Sequence, residues 1–437
     1  MQDLNMVSSG QQQRALWLST FAFTVCFAVW TIFSIIGIQI KQQLGLNETQ
    51  FGLLIATPIL TGSLTRLFLG IWADQYGGRR VLAMLMLCAA AATWMLTYAH
   101  TYPQFLAAAL FVGLAGGSFS VGVAYVSKWF PASKQGTALG VFGAGNVGAA
   151  VTKLLAPMVM VASGWIMVGR IWSIGLALTA VLYYLLTEED PSLAERRKSG
   201  VKPMSFREQM VPLRNLQVWR FSLYYFFVFG GFVALALWLP HFLIGAYGLD
   251  VETAGLLAAC YSIPASLFRI VGGVLSDKVG ARRVMYWTFG VSLVCTFLLS
   301  YPATSYTISG IHGPIHFSLA IGVVPFTMLV FVLGFFMSLG KAAVYKHIPS
   351  YYPHHVGSVG GVVGMIGGLG GFILPITFGA LNDLTGVWSS CFMLLFLLVA
   401  TSLAWMHFTI RRMERRHFPQ LQRETDLPEM MAMRELR

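Results

Sequence analysis

Along the chain, apolar runs long enough to cross a bilayer alternate with short polar breaks. They cover 15–40, 51–72, 81–99, 104–127, 137–160 and 167–186, and resume at 217–245, 253–275, 284–302, 317–345, 358–381 and 387–410. A helix of about 20 residues spans a ~30 Å hydrocarbon core. The pattern therefore predicts an all-α integral membrane protein with twelve transmembrane helices in two six-helix halves. The expected organisation is a first half over 1–186, a cytosolic linker over 187–215, a second half over 216–410 and a basic cytosolic tail over 411–437. The linker carries Glu188, Glu189, Asp190, Arg196, Arg197, Lys198 and Pro203. The first run, Ala15 to Ile40, is too long for the apolar core of a signal peptide, and no small-residue cleavage site follows it.

Composition narrows the class. The chain is 56% apolar and 11% charged, against about 25% charged in a soluble domain. Its net charge of +12 sits in short clusters between the apolar runs rather than on a basic face with stacking aromatics, which excludes a nucleic-acid partner. Cys26, Cys88, Cys260, Cys295 and Cys391 stand singly inside apolar runs, with neither metal nor disulfide spacing, and read as packing residues. No metal or other cofactor is called for, and nothing suggests an enzyme: there is no intramembrane acid/base set and no phosphate-cradling glycine loop.

The basic clusters also set an orientation. With the N-terminus inside, 23 of the 29 Lys and Arg fall in inside segments, and the outside loops hold only Lys41. Under the positive-inside rule this places both termini in the cytosol and the protein in the cytoplasmic (inner) membrane. The patches RRMERRH and ERRK read as anchors to anionic membrane lipids.

The two halves repeat one another. The segment from Gly52 to Val81 aligns without a gap to that from Gly255 to Val284, with 13 of 30 positions identical at an offset of 203. The identities pair Arg66 with Arg269, Asp74 with Asp277, and Arg79 and Arg80 with Arg282 and Arg283. Duplicated halves imply a pseudo-two-fold axis along the membrane normal, with substrate held between them near the midplane. The loops GIWADQYGGRR and GVLSDKVGARR resemble the G-x-x-x-D-x-x-G-x-R-R loop of the major facilitator superfamily. That resemblance implies that Asp74, Arg79, Arg80, Asp277, Arg282 and Arg283 gate the inner mouth and hold the halves together when the cell side is closed; a basic loop that only sets topology is the plain alternative.

Arg66 lies fifteen residues into its run, and Arg269 occupies the same place in the other half. A charge at bilayer depth costs roughly 2.5–3.5 kcal/mol even on the lenient insertion scale, so such residues face a cavity or a partner. All 17 Asp and Glu fall in loops, tails or helix ends. Two guanidiniums with no buried carboxylate point to an anion, and the planar guanidinium fork suits a planar oxyanion; bonds from each Arg to backbone carbonyls or a neighbouring helix end are the plain alternative. Helix 5 and helix 11 add matched glycines: Gly136, Gly140 and Gly143 correspond to Gly357, Gly361 and Gly364 at an offset of 221. Such spacing lets helices approach and slide, and Asn146 adds a neutral polar group.

These glycine-rich segments resemble the paired signatures of the nitrate/nitrite porter family. The resemblance implies nitrate, and nitrite with it, as substrate. Arg66 and Arg269 match its anion-clamping arginines, Asn146 its signature asparagine, and Phe119, Tyr225 and Phe229 the aromatics that sandwich and cover the anion. Gly143, Gly145, Gly148, Gly364, Gly367 and Gly370 match its signature glycines, which would act as hinges. Ordinary packing is the competing reading for the three aromatics.

Inward movement of an anion opposes an inside-negative potential by ~2.3 kcal/mol per charge per 100 mV. Nitrate import therefore needs protons or exchange for another anion, and nitrate is too weak a base to carry a proton. Arg170 stands near the outer end of the sixth run and reads as a snorkelling residue, which leaves Lys153 and Lys341 as the other cations within spans. A buried lysine near other cations gives up its proton readily. One lysine would then be neutral in the empty site and gain a proton with the anion, giving proton symport. Snorkelling to an interface is the plain alternative for both lysines. Nitrate/nitrite exchange, transport of another small anion, and an anion-binding sensor are the other functions weighed, and the chain is expected to work as a monomer.

Overall fold

Each apolar run folds as a helix, or as two helices in line. The computed structural model describes residues 8–130, 132–189, 214–351 and 356–417. Span 1 comprises Ser9–Trp30 and Phe33–Leu44, span 2 is Glu48–Tyr76 and span 3 is Gly78–Leu96. Span 4 runs through Tyr102–Val112 and Ser118–Ser127, with a tight turn of 3₁₀ helix at Gly113–Gly117 between them. Ala132–Gly143, a second 3₁₀ turn at Ala144–Val147 and the long helix Gly148–Leu186 supply spans 5 and 6. In the second half, Leu216–Tyr225 and Phe232–Tyr247 flank a π-helical stretch at Phe226–Gly231 and form span 7. Val251–Leu267 and Arg269–Val279 form span 8, and Ala281–Leu299 is span 9. Spans 10, 11 and 12 are Val323–Tyr351, Val356–Thr385 and Ser390–His417.

Among the described residues nine stretches are long and apolar enough to cross a membrane by themselves. One of them, Thr137–Leu186, breaks at Gly164 (φ 79°, ψ 167°) and supplies two crossings. Glu48–Tyr76 and Ala281–Leu299 bring the number to twelve. Gly164 takes a conformation that costs an L-residue dearly, which is how two spans are joined with almost no loop.

One element departs from the all-α expectation. Between spans 9 and 10, β1 (Thr304–Gly310) pairs antiparallel with β2 (Gly313–Leu319), Tyr306 opposite Phe317 and Ile308 opposite Ile315. The segment carries β-branched and aromatic residues at alternate positions and closes around Ile311 and His312, with Gly313 at φ 126°.

The repeat is legible in the backbone. Gly77 (φ 97°, ψ 133°) and Gly280 (φ 89°, ψ 133°) end spans 2 and 8 in the same left-handed conformation, at the same offset as the arginines. Arg79 donates to Tyr184 O through Nε (2.9 Å) and Arg80 Nε lies 3.9 Å from Glu189 Oε2. Asp277 pairs with Lys346 at 2.5 Å. Tyr184 and Lys346 belong to the same half as the residues they meet, and Glu189 stands at the start of the linker. Arg283 is exposed, Arg282 half-buried, and the Asp74 side chain lies outside the described residues. So do most of the linker and the tail beyond His417.

The halves meet where glycines let backbones touch. A Cβ on Gly52 would lie 2.3 Å from Pro375 O, and one on Gly379 would lie 2.2 Å from Glu48 O, so spans 2 and 11 press together directly. Spans 5 and 8 do the same at Gly255, where a Cβ would meet Lys153 O at 2.3 Å. Within the first half, a Cβ on Gly148 would stand 2.0 Å from Thr24 O, whereas Gly140 has nothing within 4 Å. Gly148→Ala is therefore expected to lower the thermal unfolding midpoint of the solubilised protein, at a cost of about 1–3 kcal/mol for overpacking. Gly140→Ala should leave it unchanged or raise it by up to about 1 kcal/mol. Equal midpoints for the two variants would contradict this packing.

Candidate functional site

The buried polar residues define the site. Among the described residues they include four long cations, Arg66, Lys153, Arg269 and Lys341, and no Asp or Glu. Arg66 is 5% exposed and Arg269 7%.

Arg66 sits on span 2 one turn after Ser63. Its Nε donates to Gly116 O at 3.4 Å and its Nη1 to Gly364 O at 3.3 Å. Both bonds are long for N–H···O contacts, which centre near ~2.9–3.0 Å. Three rings enclose the guanidinium: Trp30 at 5.5 Å, Phe119 at 5.4 Å and Phe229 at 5.2 Å from its central carbon. Trp30 is fixed by an indole N–H bond to Pro58 O at 2.8 Å.

Arg269 begins the second helix of span 8. The first ends at Leu267, with Phe268 (φ −73°, ψ 3°) between the two helices. Ala265 O is the acceptor that an unbroken helix would offer to the N–H of Arg269. Here Lys341 Nζ, from span 10, donates to that carbonyl at 2.5 Å and lies 3.7 Å above the Phe232 ring. The Arg269 guanidinium carbon is 5.6 Å from the Phe119 ring and 5.7 Å from that of Tyr345. Its Nη1 is buried without a partner, as are Asn146 Oδ1 and Nδ2 and Ser63 Oγ.

The aromatic residues connect the two cations. Phe119 is a neighbour of both arginines and packs on Phe23 and Phe142, at 5.6 and 5.9 Å between centroids. On the other side Phe229, beside Arg66, stacks on Tyr225 (5.1 Å, 10°), which meets Tyr345 edge-on (5.0 Å, 75°) beside Arg269. Tyr225 and Phe229 bracket the start of the π-helical stretch of span 7. Such bulges recur at functional sites, because one extra residue per turn re-aims the side chains that follow. Asn146 lies in the 3₁₀ turn of span 5, one turn past Gly143, where a Cβ would come within 3.1 Å of Arg269 Nη1.

The signature glycines serve close approach, and none has a left-handed φ. A Cβ would fall 2.8 Å from Tyr345 Oη at Gly364, 2.2 Å from the Tyr225 ring at Gly367 and 3.0 Å from Gly230 Cα at Gly370. Gly145 faces Phe23 at 2.5 Å in the same sense.

The structure thus gathers Arg66, Arg269, Phe119, Tyr225 and Phe229 into one buried cluster, with Asn146 one turn from its edge. Lys341 adjoins it through the helix break. Lys153 does not join it: its Nζ donates to Ala149 O one turn back at 3.0 Å. Both lysines are 0% exposed, so neither snorkels. Sequence reasoning missed Ser63, Trp30 and Tyr345. Ser63 stands at i−3 from Arg66 and Tyr345 at i+4 from Lys341, so helical spacing from the known cations could have found them. Trp30 carries no such signal, because span 1 is apolar all round. Chemically, the cluster offers unpaired donors of positive charge and aromatic walls, which suits a small anion.

A family model described as Major Facilitator Superfamily matches residues 18–328 and, overlapping that stretch, 243–434. A relative from Thermus thermophilus, named "Probable nitrate/nitrite antiporter NarK1", is 43% identical over 429 residues, 95% of this chain and 95% of its own. The "Nitrite extrusion protein" of Bacillus subtilis is 30% identical over 385 residues, 88% of this chain and 91% of its own. Among solved structures, a bacterial homolog of the human lysosomal transporter Spinster, inward-facing and occupied, superimposes with a TM-score of 0.68. It covers 92% of this chain and 98% of its own at 15% identity, a likeness of fold.

Asn146→Leu tests the orphaned amide. Removing two buried polar atoms that have no partner should leave the unfolding midpoint unchanged or higher. Anion binding, measured by calorimetry on the same preparation, should weaken by about tenfold for one lost hydrogen bond to a charge. A midpoint lowered by several degrees would mean that the amide is a structural group.

Proposed function

The chain belongs to the nitrate/nitrite porters of the major facilitator superfamily, and from that premise we propose that it imports nitrate through the cluster around Arg66 and Arg269, driven by protons. One observation carries the reading: two buried guanidiniums, one from each half, keep unused or poorly used donors, with no buried carboxylate among the described residues. Desolvating two cations without a counter-charge is costly, and a bound anion supplies that charge. Nitrate is planar with three equivalent oxygens, so two forks can each take an edge. Phe119 and the Phe229–Tyr225–Tyr345 chain would hold its faces, and Asn146 would take a remaining oxygen. In alternating access the two halves rock about this site, exposing it to each side in turn.

The positive-inside asymmetry supports cytosolic termini and the inner membrane as the setting. One chain contains both arginines, so the site is complete in a monomer. Symport needs a protein group to carry the proton, and Lys341 is the better placed of the two lysines. It contacts the carbonyl at the break that aims Arg269, and its neighbour Phe232 lies 6.4 Å from Phe229. Lys153, held within its own helix, is the weaker candidate. A second reading, exchange of nitrate for nitrite through the same arginines, is favoured by the name of the Thermus thermophilus relative.

Proteoliposomes separate the readings. Symport predicts accumulation of labelled nitrate driven by an inward proton gradient with no nitrite inside. Arg66→Lys and Arg269→Lys should each lower uptake by at least about tenfold, because an ammonium cannot replace the bidentate fork. Lys341→Ala should retain nitrate binding and lose gradient-driven accumulation. Uptake that depends on trapped nitrite and ignores the proton gradient would establish exchange. Wild-type uptake no greater than that of Arg66→Lys would exclude nitrate as the substrate.

A further inference from the structure

A second charged cluster lies far from the arginines, at the end of the bundle where spans 1, 2, 7 and 11 meet. Glu48, the first residue of span 2, accepts from Lys41 Nζ at 2.5 Å through Oε1 and meets His241 Nε2 at 2.7 Å through Oε2. Lys41 and Glu48 belong to the first half, and His241, on span 7, belongs to the second. Asp383, at the end of span 11, takes the backbone N–H of Glu48 at 3.0 Å and that of Thr49 at 2.8 Å. The Thr49 hydroxyl donates to the same carboxylate at 2.5 Å. The exposed amino end of span 2 is thus capped by a side chain from the opposite half.

We propose that Lys41, Glu48, His241 and Asp383 form a latch that closes the outer mouth, and that Glu48, His241 and Asp383 are positioning residues which set how often the site opens outward. The word "outer" rests on the orientation proposed above; the latch itself rests on the contacts. Three features favour a separable joint over a fixed one. The contacts of His241 and Asp383 cross from the second half to the first. The Lys41–Glu48 pair is complete within the first half, so it survives when His241 and Asp383 withdraw. Asn47 already caps span 2 from its own side, accepting from Gln50 N at 2.7 Å, so the helix end also stays satisfied on opening.

The surroundings make the joint tight when closed. His241 is 7% exposed, its ring 4.3 Å from that of Phe51, 5.5 Å from Trp238 and 5.2 Å from Trp388. Its Nδ1 is buried without a partner. An uncompensated polar atom weakens the closed form, which suits a contact that must break once per cycle.

Spin labels at the exposed positions Gln42 and Leu384, one on each half at this end, read the separation directly, with the five native cysteines replaced. Glu48→Gln and Asp383→Asn should each raise the ratio of separated to joined molecules by about tenfold, the scale of a lost hydrogen bond to a charge. His241→Gln should do the same alone and add little on top of Glu48→Gln, since both remove one contact. In the chain with native cysteines, Glu48→Gln should lower the external KM for nitrate, because a larger fraction of molecules presents the site outward. A variant that merely folds badly would lose turnover without that fall in KM. An unchanged distance distribution in Glu48→Gln and Asp383→Asn, or full additivity with His241→Gln, would overturn the latch. The distance measurement needs no substrate. A shift seen in protein that carries no nitrate would sink the transport reading and leave the latch standing.

Discussion

Positive charge kept in the membrane interior without a carboxylate to balance it governs this structure. Rings surround Arg66 and Arg269, and two backbone carbonyls partly satisfy Arg66; in the proposed function a bound anion meets the remaining demand. A buried Asp or Glu beside either arginine would make a stable ion pair and end that demand. That the buried set among the described residues holds no Asp or Glu is therefore as informative as the presence of the arginines.

The helices bend to serve this constraint. Spans 4, 5, 7 and 8 leave regular α geometry at Gly113–Gly117, Ala144–Val147, Phe226–Gly231 and Phe268. At these interruptions stand a carbonyl for Arg66, the Asn146 amide, the Tyr225–Phe229 stack and the start of Arg269. In lipid such irregular backbone survives only where it is packed in protein. Site and distortion depend on each other: the distortions aim the side chains, and the packing of those side chains satisfies the distortions.

Much of this was legible in the residues. Membrane topology rests on run length and charge, which act locally and need no tertiary context. The arginine pair stood out because its sequence context is duplicated at a constant offset and because charge at that depth is rarely tolerated. The limits were equally physical. Trp30 is one aromatic in a helix apolar on every face, and only the position of Pro58 O singles it out. The loop residues from Asp74 to Arg80 and from Asp277 to Arg283 looked like a clasp between halves. The contacts described join them to Tyr184, Glu189 and Lys346, and partner choice among several surface charges is not written in spacing. The hairpin of β1 and β2 was hidden inside a loop and an apolar run, since an alternating stretch of that length reads equally as either. The Asp383 cap on span 2 joins residues more than 330 positions apart and has no local signature at all.

The contact between Lys341 and Ala265 O has a thermodynamic consequence. That carbonyl belongs to the broken turn that aims Arg269, so the proton on the amine and the occupant of the guanidinium share one mechanical element. By linkage, whatever factor an anion imposes on proton binding there, the proton must impose on anion binding. In the proposed symport, coupling would then need no separate path for each ion, because one turn of helix answers to both.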